Sequence, residues 1–487
     1  MMTISKIKNF LFENQSVRQT ILKNTFWLFF GETAGRLIRM GVIIYAARTL
    51  GAAGWGTFSY VISLAALLTI FSDSGLSSVL TREAAKSPAD RLKFFSTIFF
   101  IKIPLIIISF FIIVLATPYI SNIPVSKILI FTIALVIVFD SLKAFSVSMF
   151  RATEKMELEA ALNILTQFII AVAGIAVLWF ITSVESLAAA YAFGSFIGLA
   201  ATAFLLRSYI KNVAAHFDKN LIKPIINSAL PFGLAGILGA VMINTDTVML
   251  GWFRSAGEIG FYAAAQKPVL FLYVFSGLIA GALFPVFSRL AGKDIIKFRN
   301  VMEKGIKAVF LLAIPFTIGI LITADQIINI LYGQEYQPAA IALKILAITI
   351  ITTFPMSIIN NSLFAYNRQK ELIYFWVAGA LGNVFFNLIF IPIWGIAGAA
   401  AATVLTQIIG NSLIWRRVKK INNFSVMPHL KKILAASALM TLTALLLKQS
   451  DVNFFLIVAV AALVYFGALT LMKETLITEI KETLKLT

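Results

Sequence analysis

Five basic residues, Arg36, Arg39, Lys102, Lys143 and Lys267, stand inside long apolar runs of the chain, together with the carboxylates Glu32, Asp73, Asp140 and Asp246. Guanidinium groups bind phosphate oxygens through paired, parallel hydrogen bonds, so an interior surplus of cations suits an anionic, phosphorylated ligand. Asp73, Asp140 and Asp246 can take up and release a proton or a sodium ion, because burial and neighbouring charge move a carboxylate pKa by several units. The plainer reading is that these groups pair with one another to fix helix packing, with Lys102 and Lys143 reaching toward the headgroups. Glu32, Arg36 and Arg39 are spaced i, i+4, i+7 and share one helical stripe, where one Glu cannot neutralise two guanidiniums. Asp140 and Lys143 share a face of another helix by the same spacing.

Other chemistries lack their residues. There is no Cys, so there is no disulfide frame, thiolate nucleophile or cysteine metal site. The two histidines, His216 and His429, have no metal-ligand spacing, and no phosphate-binding loop for nucleotide hydrolysis is present. No cofactor or metal is expected, and the chain reads as a transporter, passive or ion-coupled, rather than an enzyme.

The elements that must position these charges cross a membrane. Of 487 residues 60% are hydrophobic and 13% charged, and a mean hydropathy of +0.91 makes lipid the solvent. Apolar runs at roughly 24–47, 56–80, 94–117, 128–150, 158–182, 186–207, 225–251, 258–287, 304–323, 339–364, 371–391, 394–415, 430–448 and 452–472 give about fourteen transmembrane helices. Each intramembrane cation left facing lipid at a helix centre costs about 3 kcal/mol, so all must face water or partners. The first run follows an amphipathic stretch with Lys6, Lys8, Phe10, Leu11, Phe12, Arg18 and Lys23 and shows no small-residue cleavage site, so it is expected to be retained as an anchor.

With the N-terminus in the cytoplasm, 31 Lys and Arg fall in inside segments and five (Arg48, Lys127, Arg254, Lys344, Lys448) outside, as the positive-inside rule requires. A multi-pass protein of the plasma or inner membrane with both termini cytoplasmic follows. The formal charge of +19 is accounted for by topology and anionic lipid, not by nucleic acid. The proline residues Pro104, Pro231, Pro268, Pro285, Pro315, Pro355 and Pro392 offer kinks within the spans, and Gly233, Gly236 and Gly239 read as a packing face.

Leu50-Gly51 followed by Gly56-Thr57-Phe58-Ser59-Tyr60 recurs as Leu250-Gly251 followed by Gly260-Phe261-Tyr262, and Ser148-Met149-Phe150 leading to Glu157 recurs as Ser362-Leu363-Phe364 leading to Glu371. Six helices per repeat give two parallel lobes, residues 1–213 and 214–424, around a central cavity, with two added helices and a tail over 425–487.

Ala47-Arg48-Thr49-Leu50-Gly51, Asp73-Ser74-Gly75-Leu76 with Arg82, Phe150-Arg151-Ala152-Thr153-Glu154-Lys155, and Leu230-Pro231 through Asp246 to Gly260-Phe261-Tyr262-Ala263-Ala264-Ala265 resemble the polysaccharide and O-antigen flippases of the multidrug/oligosaccharidyl-lipid/polysaccharide exporter superfamily. The resemblance spans nearly the whole chain. It implies translocation of polyprenyl-diphosphate-linked oligosaccharide from inner to outer leaflet by alternating access, with Arg36, Arg39, Lys102, Lys143 and Lys267 contacting the diphosphate or acidic sugars. Asp73 and Asp246 occupy motif positions suited to ion coupling. Expected partners are the lipid-linked substrate, membrane lipids, a proton or sodium ion, and polysaccharide polymerase machinery. A peptidoglycan-precursor flippase and a drug or cation antiporter share the fold and stay open as alternatives. A membrane-embedded glycosyltransferase would need a large outside loop with acidic residues, whereas the outside loops here are short.

Overall fold

Leu, Ile, Val, Phe and Ala fill nearly every face of the long runs. In lipid such a chain can satisfy its backbone polar groups only by hydrogen-bonding along its own length, which makes helices. The computed structural model is all-helical and describes residues 12–69, 72–450, 452–476 and 478. Lys6, Lys8, Phe10, Leu11, Lys481 and Lys485 lie outside the described residues, as do the side chains of Arg18 and His429.

The chain divides into two compact units, Met1–Gly260 and Phe261–Thr487. The first contains α1 (Val17–Leu68), α2 (Leu76–Lys86), α3 (Arg91–Ile120), α4 (Lys127–Ala152), α5 (Met156–Phe180), α6 (Val184–Leu205), the short α7 (Arg207–Lys211) and α8 (Ile222–Phe253). From α9 (Ala256–Leu290) onward the second holds α10 (Ile295–Tyr332), α11 (Ala339–Ala365), α12 (Gln369–Asn422), α13 (Met427–Gln449) and α14 (Phe454–Leu471). Polar caps set several starts: Ser126, Ser183, Asp294 and Asn453 each accept a backbone N–H from the first turn of α4, α6, α10 and α14.

Among the described residues twelve helices are long and apolar enough to cross a membrane. Two of them, α1 with 52 residues and α12 with 54, are about 80 Å long at 1.5 Å per residue, more than twice the hydrocarbon thickness. Each is interrupted once, at Gly51 (φ 67°) and Gly395 (φ 56°), a region of φ that glycine enters without steric cost. Two crossing segments in each bring the total to the expected fourteen. The expected kinks at proline are not where helical geometry fails: Pro104, Pro231, Pro268, Pro285, Pro315, Pro355 and Pro392 all lie within helices, and the non-helical residues inside α1 and α12 are glycines.

The second expected span, 56–80, is not one helix. It breaks after Leu68 into a turn containing Asp73, Ser74 (φ 42°) and Gly75 (φ 83°), and resumes as α2. In unit 1, α1 packs on α5, and α4 packs on α2, α3 and α6. The approach of α1 to α5 is close because Gly31 and Gly35, one turn apart, present no side chain: a Cβ on Gly31 would stand 2.6 Å from Ala160 Cα, and one on Gly35 2.9 Å from the Asn163 amide. Gly233 packs against the Ser74 backbone, but Gly236 and Gly239 meet nothing within 4 Å, so the expected glycine packing face reduces to one residue.

In unit 2, α11 packs between α10 and α12, and the hairpin α13–α14 lies on α10. Polar ties hold that hairpin, among them one from Tyr465 Oη, which donates to the Leu311 carbonyl at 2.8 Å. Lys448 Nζ donates to the Ile322 carbonyl at 2.5 Å near one end of α10, and Lys307 pairs with the buried Glu474 and donates to Thr475 Oγ1 at 2.7 Å near the other.

Candidate functional site

The break in the second span delivers a carboxylate to the interior of unit 1. Irregular backbone at membrane depth survives only where it is enclosed by protein or lines a cavity, and the turn at Asp73 does the latter. A cavity of about 760 Å³ is lined by Glu32, Asp73, Ser77, Lys102, Asp140, Lys143, Arg151, Glu159 and Asn163 together with Ser72, Ser141, Ser148 and apolar residues of α1, α4 and α5.

Lys102 is buried on α3, its ammonium paired with Asp73 and 3.5 Å from Ser77 Oγ, while Ser77 Oγ also donates to Asp73. The ammonium stands 5.8 Å from the centre of the Phe145 ring, an arrangement that adds cation–π attraction to the ion pair. Asp73 keeps 43% of its side chain exposed against 1% for Lys102. Both line the cavity, and the carboxylate is the more accessible member of the pair. One turn of α4 brings Lys143 to 3.9 Å from Asp140, and its ammonium donates to Thr166 Oγ1 at 3.2 Å.

The α1 stripe also holds. Arg36 Nε donates to Glu32 at 2.7 Å, and Arg39 Nε reaches across to Gln167 Oε1 on α5 at 3.0 Å. Both guanidiniums and Glu32 are exposed in the middle of a crossing segment. Arg36 and Arg39 stand beside the lining rather than in it, although Arg39 and Asp140 both act electrostatically on Lys143.

The lining by itself holds four carboxylates and three cations, so a cationic surplus arises only when Arg36 and Arg39 are added. Asp246 is buried on α8 between Thr245 and Thr247, and Lys267 is half-buried on α9 in unit 2; neither lines this cavity, and both are engaged in interactions of their own. Charge inside the spans thus gathers Asp73, Lys102, Asp140 and Lys143 at one cavity and leaves Asp246 and Lys267 apart.

Sequence reasoning missed Arg151 and Glu159. Arg151 Nη2 lies 2.5 Å from Glu159 Oε1, and both line the cavity. Arg151 reads in the sequence as an ordinary loop cation at the end of α4. The i, i+8 spacing across the helix junction gives no periodicity signal; only the motif Phe150-Arg151-Ala152-Thr153-Glu154-Lys155 marks the place.

A family model described as polysaccharide biosynthesis protein matches residues 21–291, more than half of the chain. The chain belongs to the polysaccharide biosynthesis protein family. It is accordingly a multi-pass membrane transporter and not an enzyme. A second model, MatE, matches residues 231–389. Among curated relatives of this family member, the "Probable low-salt glycan biosynthesis flippase" of Haloferax volcanii is 25% identical over 389 residues, 79% of this chain and 81% of its own length. Among solved structures, "Lipid II flippase MurJ, inward closed conformation" superimposes with a TM-score of 0.76 at 18% identity, over 92% of this chain and 99% of the other. A MATE multidrug transporter superimposes with a TM-score of 0.61 at 15% identity, over 84% of this chain and 98% of the other. The likeness to these solved structures establishes the fold.

Proposed function

We propose that the chain is a flippase that moves polyprenyl-diphosphate-linked oligosaccharide units from the inner to the outer leaflet by alternating access, for cell-surface polysaccharide biosynthesis. The observation that carries this reading is the α1 stripe. Arg36 and Arg39 are exposed guanidiniums in the middle of a membrane-crossing helix, beside a cavity large enough for a small ligand group, and only one Glu on their own helix opposes them. Charged groups at that depth must face water or a charged ligand, and two planar cations on one stripe match the geometry of a diphosphate. The glycan flippase relative supports the same cargo class.

In this reading Arg36, Arg39 and Lys143 hold the diphosphate or acidic sugars, and Lys102 joins them when its partner changes. Neutralising Asp73 with a proton or sodium ion frees the Lys102 ammonium for phosphate, so ion binding and substrate binding are linked at one pair. Lys267 and Asp246 serve the same roles outside this cavity, and Asp140 is the third coupling carboxylate. Residues 1–213 and 214–424 act as the two lobes, with 425–487 an appendage. Both termini face the cytoplasm in a plasma or inner membrane, and polymerase machinery receives the product.

The test is deletion of the gene in its own host, followed by mass spectrometry of lipid-linked oligosaccharide and surface glycan, with and without rescue. Accumulated intermediate with lost surface glycan, both restored by the intact gene, is expected. Unchanged glycan with accumulated peptidoglycan precursor, or with raised drug sensitivity, overturns the reading in favour of a precursor flippase or a drug exporter.

A further inference from the structure

On a helix that faces lipid, apolar side chains point outward and polar ones turn toward protein. Residues 352–361 of α11, a helix packed between α10 and α12, keep polar side chains at their accessible positions and apolar ones at their buried positions. Thr352, Thr353, Ser357, Asn360 and Asn361 are the partly exposed residues of that stretch, while Phe354, Pro355, Met356, Ile358 and Ile359 are buried. Every accessible position is polar and none is ionisable. A surface of this kind inside a membrane unit fits water and a hydrogen-bonding ligand, not hydrocarbon.

The neighbouring helices of unit 2 extend the same chemistry. Gln407 Oε1 on α12 accepts from Thr353 Oγ1 at 2.9 Å and from Thr352 Oγ1 at 3.3 Å, and Asn411 Nδ2 donates to the Thr352 carbonyl at 3.3 Å. Ser357 Oγ donates to the Ser276 carbonyl at 3.1 Å and Asn361 Nδ2 to the Ala280 carbonyl at 2.9 Å, which fixes the stripe against α9. Asn360 is partly exposed, but its Oδ1 is buried and has no hydrogen-bond partner within the protein. Phe271 and Phe275 on α9 and Phe316 on α10 are partly exposed, with ring centres 6.3 Å apart for Phe271 and Phe275 and 5.8 Å for Phe275 and Phe316, and Phe316 meets Phe354 of α11 at 6.5 Å.

We infer that the Thr352–Asn361 stripe, with Gln407 and the adjoining phenylalanines, is a binding site for the neutral hydroxyls and apolar ring faces of the glycan. Hydroxyl and amide groups donate and accept at once, as sugar hydroxyls do, and aromatic rings cover the C–H faces of a pyranose. A diphosphate would be left here without a cation, and a cationic drug without a carboxylate. This site rests on the flippase reading and assigns the part of the substrate that the charged cavity of unit 1 does not suit.

The experiment uses the full chain in lipid nanodiscs and two probes: undecaprenyl diphosphate, which bears no sugar, and lipid-linked oligosaccharide extracted from the host. Binding of each is measured by native mass spectrometry. The double variant Asn360→Leu/Gln407→Leu is expected to lose affinity for the oligosaccharide probe by at least about tenfold and to bind undecaprenyl diphosphate as the wild type does. Equal binding of both probes by variant and wild type overturns the site and leaves the transport reading intact. Failure of the wild type to bind either probe overturns the transport reading and the site with it. Should the double variant not fold, Thr353→Val keeps the shape of the side chain and removes its hydroxyl. The same selective loss is then expected, and its absence overturns the site.

Discussion

In unit 1 the polar interior is ionic. Lys102 holds Asp73, Lys143 faces Asp140, Arg36 holds Glu32 and Arg151 holds Glu159. In unit 2 the matched stretch of α11 carries Thr349, Thr352, Thr353, Ser357, Asn360 and Asn361; Thr349 bonds Tyr273, Thr352 and Thr353 donate to Gln407, and Ser357 and Asn361 donate to the Ser276 and Ala280 carbonyls. The repeat that aligns Glu157 with Glu371 sets Asp140 against Phe354 and Lys143 against Ser357. The positions so matched carry an ammonium in one unit and a hydroxyl in the other. A shared backbone plan leaves the chemistry of each interior free to diverge, because a helix in a membrane needs its backbone satisfied and its polar side chains partnered, whatever those partners are.

The comparison breaks most sharply if charge is moved between the units. Ser357→Lys recreates the Lys143 type at a partly exposed position where the neighbouring carboxylate position holds Phe354, and an unpartnered ammonium in the middle of a spanning helix costs about 3 kcal/mol. Loss of the folded protein in detergent, read by size exclusion and thermal unfolding, is expected; normal stability there means that the unit 2 interior is wetter than a neutral network implies.

Arg36→Ala removes a cation that is exposed and therefore contributes little to stability. Transport in proteoliposomes should fall about 100-fold while membrane insertion and melting temperature stay near wild type. Unimpaired transport takes Arg36 out of the site.

Lys102→Met deletes the buried member of a pair whose carboxylate is partly solvated. The cost is discounted for that exposure to about 2 kcal/mol, and Asp73→Asn in the same chain should recover part of it. A thermal-denaturation double-mutant cycle checks this, and strict additivity of the two changes means that the pair is not coupled. The neutral counterpart is Tyr273→Phe, which removes the 2.5 Å bond to Thr349 Oγ1. A loss of about 1 kcal/mol is expected, smaller than for the ionic pair.

The smallest effect concerns the tie between α10 and the tail. Burial alone would raise the Glu474 carboxyl, but the hydrogen bond and charge of Lys307 outweigh it and hold the pKa below its ordinary value of 4.5. A folded pKa below the unfolded one gives stability that is complete above the unfolded value and is lost as pH falls through the folded one. The melting temperature should therefore decline below about pH 4.5, and Glu474→Gln should flatten that part of the profile relative to the wild type.

Much of this architecture was legible in the chain. The span count followed from run length, because lipid thickness fixes how many apolar residues a crossing needs. Glu32 and Arg36 were readable as a stripe because i, i+4 spacing places them together on any helix, and Asp140 with Lys143 for the same reason. The pairing of Lys102 with Asp73 was not, because their helices are separated by a broken span whose turn no periodicity announces. Asp246 and Lys267 share the composition of the site residues, yet the fold puts them elsewhere.

By itself the sequence determined what depends on local physics: an all-helical membrane transporter, its number of crossings, and the family carried by its motifs. Only the tertiary structure decided which charges meet. It placed Asp73 in a turn facing a cavity, closed Arg151 onto Glu159, and set the polar Thr352–Asn361 stripe of α11 against α9 and α12. The reason is that hydropathy and helical period act within one element, whereas the partner of a buried charge is chosen by packing between elements distant in sequence.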